Sequence, residues 1–206
     1  MKHKIAVAAS GSGRSLDNLI KLGSKLNFEV SAVILSRRDC KSYDIAKDAN
    51  IPTLVESFPL KDTTSLEGFL QENMCQLIVL AGFLRPFPIL TAYENKILNI
   101  HPALLPNYGG KGMYGMNIHR AVLEAKEEFS GATVHLVNEE YDKGRKLSQV
   151  KLNISKCSSA EEIAKEIFSY ECSLLPFTIN NYLIDENFAR LNLTKKELNS
   201  WLTTLS

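Results

Sequence analysis

Short apolar runs recur along the first hundred positions. Lys4–Ala9, Phe28–Leu35, Pro52–Val55, Leu77–Leu80 and Ile97–Ile100 are each bounded by polar or turn-forming residues, which is the pattern of buried strands. Helical spacing fills the intervals. Leu16, Leu19, Ile20 and Leu26 fall on one face of a helix predicted over Leu16–Leu26, and shorter helices are predicted over Ser42–Ala49 and Ser65–Asn73. Strand alternating with helix predicts an α/β fold, Rossmann-like, with a doubly wound and mostly parallel sheet.

The pattern changes after Ile100. Pro106–Gly115 contains Gly109, Gly110, Gly112 and Gly115 and reads as a loop. A helix is predicted over Asn117–Lys126. Gly131–Val137 and Lys146–Ile154 flank a polar loop at Asn138–Arg145, predicting an antiparallel strand pair that extends the sheet. Ser159–Leu183 predicts a long C-terminal helix, capped by Ser158 or Ser159, with Glu161 and Glu162 in its first turn and Pro176 bending or interrupting it. Past Asp185 only Thr194–Leu205 is amphipathic. This organisation implies a single domain at residues 1–184 and a helical tail at 185–206.

Composition narrows the function classes. With 206 residues, 45% apolar and 23% charged, the chain is long enough to bury one sizeable core. A net charge of +1 gives no global field toward nucleic acid or a membrane, so neither is expected as a partner. The first ten residues hold too short an apolar run for a signal peptide or a membrane span, and the expected location is cytoplasmic. Cys40, Cys75, Cys157 and Cys172 form no CxxC pair, so free and mostly buried thiols are expected. His3, His101, His119 and His135 have no ligand-like spacing, so no metal site is expected.

Three places carry candidate chemistry. The turn Ser10-Gly11-Ser12-Gly13-Arg14-Ser15 joins a strand to a helix, where small residues and a helix N-terminus make an anion cradle. Leu16 takes the third glycine position of the dinucleotide fingerprint, and Arg37 and Arg38 follow the second strand where an acidic residue is wanted, so NADP binding is a distant reading. The second place is Ile97-Leu98-Asn99-Ile100-His101-Pro102. Asn99 and His101 share one face of an extended chain, and Pro102 ends the strand directly after them. An amide and an imidazole together can donate to a developing oxyanion. The third is the acidic loop Asn138–Gly144. Glu139, Glu140 and Asp142 are all candidates for a carboxylate that would raise an imidazole pKa, and the residues alone do not choose among them.

Ala-Gly-Phe-Leu-Arg at 81–85, Ile-Leu-Asn-Ile-His-Pro-Ala-Leu-Leu-Pro at 97–106 and Gly-Ala-Thr-Val-His-Leu-Val-Asn-Glu-Glu-Tyr-Asp at 131–142 resemble the folate-dependent formyltransferases. The N-terminal turn and the 109–115 loop resemble the phosphoribosylglycinamide formyltransferase branch. The resemblance implies formyl transfer from 10-formyltetrahydrofolate, a cosubstrate, to the amine of 5-phosphoribosylglycinamide in purine biosynthesis. No tightly bound cofactor or metal is implied, and the chain is expected to act on small molecules as a monomer or homodimer. Asn99, His101 and Asp142 match the family's catalytic three. Gly13, Arg14 and Ser15 match its phosphate loop, and Glu171 its ribose contact. Leu84, Arg85, Pro86 and Phe87, with Asn99, Asn138, Glu139, Glu140, Tyr141 and Asp142, match its folate segments, and Lys61 the position that meets the folate tail. This sequence departs from the family at Arg14-Ser15, where Ser/Thr-Asn is usual, at Arg145, where proline is usual, and at Cys172, where histidine is usual. Two other readings use the same residues: formyl transfer to a nucleotide-linked aminosugar, and a folate- or nucleotide-binding module without turnover.

Overall fold

Each apolar run predicted as a strand in the first hundred residues is one in the computed structural model, which describes residues 2–205. The chain separates into two units, one ending at Asn99 and the other beginning at Ile100.

The first unit holds β1 (His3–Ala9), β2 (Phe28–Leu35), β3 (Thr53–Val55), β4 (Leu77–Leu80) and the start of β5 (Ile97–His101), in the order β3-β2-β1-β4-β5 with every pair parallel. Ile5–Ala9, Ala32–Leu35 and all of β4 are buried. Parallel strands covered on both faces need continuous apolar sequence, which is why they read as runs and not as alternation. From β1 the chain winds outward through β2 and β3, then returns to lay β4 on the other side of β1. The order therefore reverses between β1 and β4. Open α/β sheets bind ligands in the crevice that such a reversal leaves beyond the strand ends. There Ala81 N–H donates to Ala8 O (2.9 Å) and Leu84 N–H to Ser10 Oγ (3.2 Å), joining the loops that follow β4 and β1.

α1 (Arg14–Gly23) starts and stops earlier than the predicted Leu16–Leu26. Gly13 adopts φ 70° as its N-cap, a left-handed conformation that leaves a glycine free to begin the helix at once. Leu26 is buried outside the helix. α2 (Lys41–Asp48) and α3 (Thr64–Glu72) lie within one residue of their predicted bounds.

The second unit carries α4 (Met116–Glu124), β6 (Phe129–Leu136), β7 (Lys146–Asn153), α5 (Ala160–Tyr182), β8 (Arg190–Leu193) and α6 (Lys195–Thr203). β6 and β7 are antiparallel, as expected. With the parallel strands of the first unit and the 23-residue α5, the predicted α/β architecture is found. Ser159 is the cap of α5, accepting from Glu162 N–H at 3.2 Å. Of the two expected effects of Pro176, a bend or an interruption, the interruption does not occur: α5 is one helix through Pro176. A missing donor and ring clash cost about 3 kcal/mol in a helix interior. Here the residues from Ser173 to Ile179 are all buried, and their packing holds the turn in place.

Two further expectations need correction. The tail contains a strand before its helix: β8 pairs in parallel with β7, Ser148 opposite Arg190 and Val150 opposite Leu193. Arg190, Leu191 and Asn192 are exposed, so no alternation marks the strand; pairing with β7 creates it. The cysteines are free, but only Cys75 is buried. Cys40 is the N-cap of α2, and Cys157 and Cys172 are half-buried, so three of the four are not core fillers. Among the described residues no helix is long and apolar enough to cross a membrane.

Candidate active site

β5 ends on His101, one residue beyond its predicted bound. The imidazole is 4% exposed, whereas Asn99, two residues earlier on the strand, is half-buried. The exit from β5 is fixed by Thr133 of β6. Its Oγ1 donates to Ala103 O (2.7 Å) and accepts from Leu105 N–H (3.2 Å) and from Gln149 Nε2 (2.8 Å). The chain then doubles back, and His101 Nε2 lies 2.8 Å from Tyr108 O. A carbonyl only accepts, so Nε2 carries a proton.

Asp142 reaches the other ring nitrogen. Its Oδ1 lies 3.5 Å from His101 Nδ1 and 3.4 Å from Nε2 of His135, which is buried on β6. Oδ2 accepts from Gly110 N–H at 2.9 Å. His135 Nδ1 lies 2.8 Å from Leu136 O and must likewise carry a proton. Each imidazole thus donates to a backbone carbonyl and turns its second nitrogen to one carboxylate oxygen. That oxygen favours a further proton on His101, against the burial of its ring. Glu139 and Glu140 are exposed, and Glu140 pairs with Lys143 at 2.7 Å, so Asp142 alone of the three acidic candidates meets an imidazole.

Close packing sets the carboxylate's position. Asp142 holds φ 59°, uncommon for a residue with a side chain. Two residues on, a Cβ at Gly144 would lie 1.7 Å from Leu136 O. Gly144→Ala is therefore expected to destabilise the fold by about 3 kcal/mol or more, read as a lower urea midpoint.

Burial lowers the His101 pKa below its usual 6.5, against the opposing pull of Asp142 and Tyr108 O, and His135 adds a smaller lowering. Burial tends to raise Asp142, but the His135 hydrogen bond, the His101 charge and Gly110 N–H hold its pKa below 3.8. His119, buried on α4, is lowered to about 4 by burial and then by His101, and its Nδ1 has no hydrogen-bond partner among the described residues. A histidine whose folded pKa is depressed contributes full stability above the unfolded value of 6.5, and that stability is lost as pH falls through the folded value. Between pH 6.5 and about 4 the unfolded chain binds protons that the folded chain excludes. His119 accounts for about 3 kcal/mol across that window. The melting temperature is expected to fall steadily from pH 7 to pH 4, and His119→Leu to flatten the curve.

The remaining candidates are placed as follows. In the first unit, Gly13 is buried where a Cβ would lie 2.6 Å from Ile45 Cδ1, and Ser42 clamps the turn by donating to Gly11 O (3.0 Å). Arg14 and Ser15 open α1. Leu84 is 56% exposed; Arg85 and Pro86 are exposed too, and Phe87 packs on Phe58 and Phe83 at 5.8 and 5.7 Å between ring centres. Lys61 is exposed on the loop before α3. In the second unit, Asn138 caps its own turn by accepting from Glu140 N–H (3.1 Å), Tyr141 is 54% exposed and Glu171 is half-buried on α5. Nothing in the sequence alone marks His135 or His119 as part of the site. His135 carries no local signal: it sits in an apolar strand, buried throughout from Ser130 to Leu136, whose pairing with β7 shifts register at Val134/His135.

Residues 3–179 match the formyl transferase family model. A chloroplastic phosphoribosylglycinamide formyltransferase of Arabidopsis thaliana is 36% identical over 185 residues, covering 84% of this chain and 63% of its own length. The chain likewise spans 58% of the Vigna unguiculata relative. The phosphoribosylglycinamide formyltransferase of Haemophilus influenzae is 34% identical over 92% of this chain and 93% of its own. Among solved structures, glycinamide ribonucleotide transformylase 1 from Geobacillus kaustophilus superposes with a TM-score of 0.80 at 29% identity, covering 89% of this chain and all of that one.

Proposed function

The chain belongs to the formyl transferase family, and from that premise we propose that it moves the formyl group of 10-formyltetrahydrofolate onto the amine of 5-phosphoribosylglycinamide. The observation that carries the reading is Asp142 Oδ1, held between His101 Nδ1 and His135 Nε2 at the end of the strand that bears Asn99.

In this reading the amine nitrogen attacks the formyl carbon, and the carbonyl π electrons move onto oxygen. Asn99 and His101 donate hydrogen bonds to that oxygen, where charge develops. His101 Nε2–H, which faces Tyr108 O in the structure, must exchange that carbonyl for the formyl oxygen. Asp142 favours the charged imidazole and helps carry the proton lost by the attacking nitrogen to the folate nitrogen. The carbonyl re-forms, the bond to the folate nitrogen breaks, and tetrahydrofolate and the N-formyl product leave. Gly13, Arg14 and Ser15 hold the phosphate, and Glu171 the ribose hydroxyls. Leu84–Phe87 and Asn138–Asp142 hold the folate, with Lys61 at its tail. Joint binding of both substrates supplies the orientation.

Purified protein mixed with 10-formyltetrahydrofolate and the ribonucleotide is expected to deformylate the folate, followed by absorbance. Turnover with a nucleotide-linked aminosugar and none with the ribonucleotide would overturn the acceptor. Binding of both substrates without turnover would leave a binding module.

A further inference from the structure

Three residues beyond Asp142, Arg145 reaches across to the chain that follows α5. Its Nη2 donates to Glu186 O at 2.6 Å and its Nη1 to Phe188 O at 3.4 Å. The guanidinium also lies 5.9 Å from the Tyr182 ring centre and hydrogen-bonds that side chain. Two carbonyls and an aromatic ring suit a planar fork with several donors, and an ammonium group cannot satisfy all three.

Both ends of this link are anchored. On the far side, Phe188 packs on Phe177 of α5 at 5.9 Å, and Trp201 of α6 packs on the same ring at 5.3 Å. Pairing of β8 with β7 holds the segment from there on. On the near side, Arg145 O accepts from Leu136 N–H at 2.9 Å, closing the loop that carries Asp142. Leu136 O in turn meets His135 Nδ1 and the backbone of Gly144. A residue at φ 59° such as Asp142 keeps that conformation only when its surroundings over-determine it.

We propose that Arg145 is a positioning residue for Asp142, using the segment Glu186–Phe188 as a fixed post against which the catalytic loop is braced. The inference rests on the reading of Asp142 and His101 given above. Its consequence lies in geometry: when the brace is lost the fold survives, and the carboxylate wanders from His101. The groups that face His101 are then Tyr108 O, His119 from α4 and His135 from β6, with the carboxylate farther away.

The test compares wild type with Arg145→Ala and Arg145→Lys by two readouts. One is the pH titration of the His101 imidazole signals by NMR, which needs no substrate. The other is kcat and KM for formyl transfer. Arg145→Ala is expected to lower the His101 titration midpoint and to cut kcat about tenfold or more, with KM for the ribonucleotide nearly unchanged. Arg145→Lys keeps the charge without the fork and is expected to resemble Arg145→Ala. An unchanged midpoint in Arg145→Ala, or wild-type behaviour in Arg145→Lys, overturns the proposal. If the wild type itself fails to transfer formyl, the functional reading fails, while the NMR titration still decides whether Arg145 holds Asp142 in place.

Discussion

Replacing His101 with alanine is expected to lower turnover about a thousandfold at pH 7, the size that follows if, as proposed, one group both donates to an oxyanion and takes part in proton transfer. Under the proposed function the ribonucleotide should still bind, because Gly13, Arg14, Ser15 and Glu171, the residues proposed to hold it, are untouched, so calorimetry of binding separates lost chemistry from lost affinity. The fold is also expected to survive. His101 is the last residue of β5, and the chain beyond it is fixed by Thr133 and Gln149 through Ala103 and Leu105, not by the imidazole. Relief of a buried, pH-sensitive group even works in the variant's favour below pH 6.5, where the wild type loses stability by excluding a proton from His101. A variant as stable as wild type at pH 5.5 yet inactive at pH 7 would fit this account. A variant with more than a tenth of wild-type turnover would remove His101 from the chemistry.

The sheet-edge half of this site was legible in the residues themselves, and the reason is local. Alternation along a strand depends only on backbone geometry, and the proline stop after His101 is written in the next residue. The bounds of β2 and β4 follow from apolar runs for the same reason. What could not be read depends on chain segments meeting from a distance. The choice of Asp142 over Glu139 and Glu140 depends on how the loop closes, which Gly144 against Leu136 O and Arg145 against Glu186 O determine. His135 sits in an apolar strand like many satisfied histidines, and only the fold turns its Nε2 toward the carboxylate. β8 has no pattern of its own and exists because β7 offers an edge.

The second large effect belongs to the carboxylate. Asp142→Asn preserves size and can still accept a hydrogen bond, so the loop should close as before, with Gly110 N–H meeting a neutral oxygen or losing its partner to an amide. What disappears is the charge. Asp142 is the largest influence raising the His101 pKa against burial, so removing it lets burial act with less opposition, and the His101 pKa falls further below 6.5. At pH 7 the protonated fraction of His101 shrinks, and kcat is expected to fall about a hundredfold or more. The sign of the pH dependence follows directly. Because the missing species is imidazolium, residual activity should rise as the pH is lowered, and the descending, alkaline limb of the rate profile should move to lower pH than in wild type. Loss of a mere structural contact would scale the whole profile down without moving it. Retention of full activity by Asp142→Asn would return the choice to Glu139 and Glu140, and a profile that is reduced but unshifted would leave Asp142 as a structural support for the loop, with no hold on the proton.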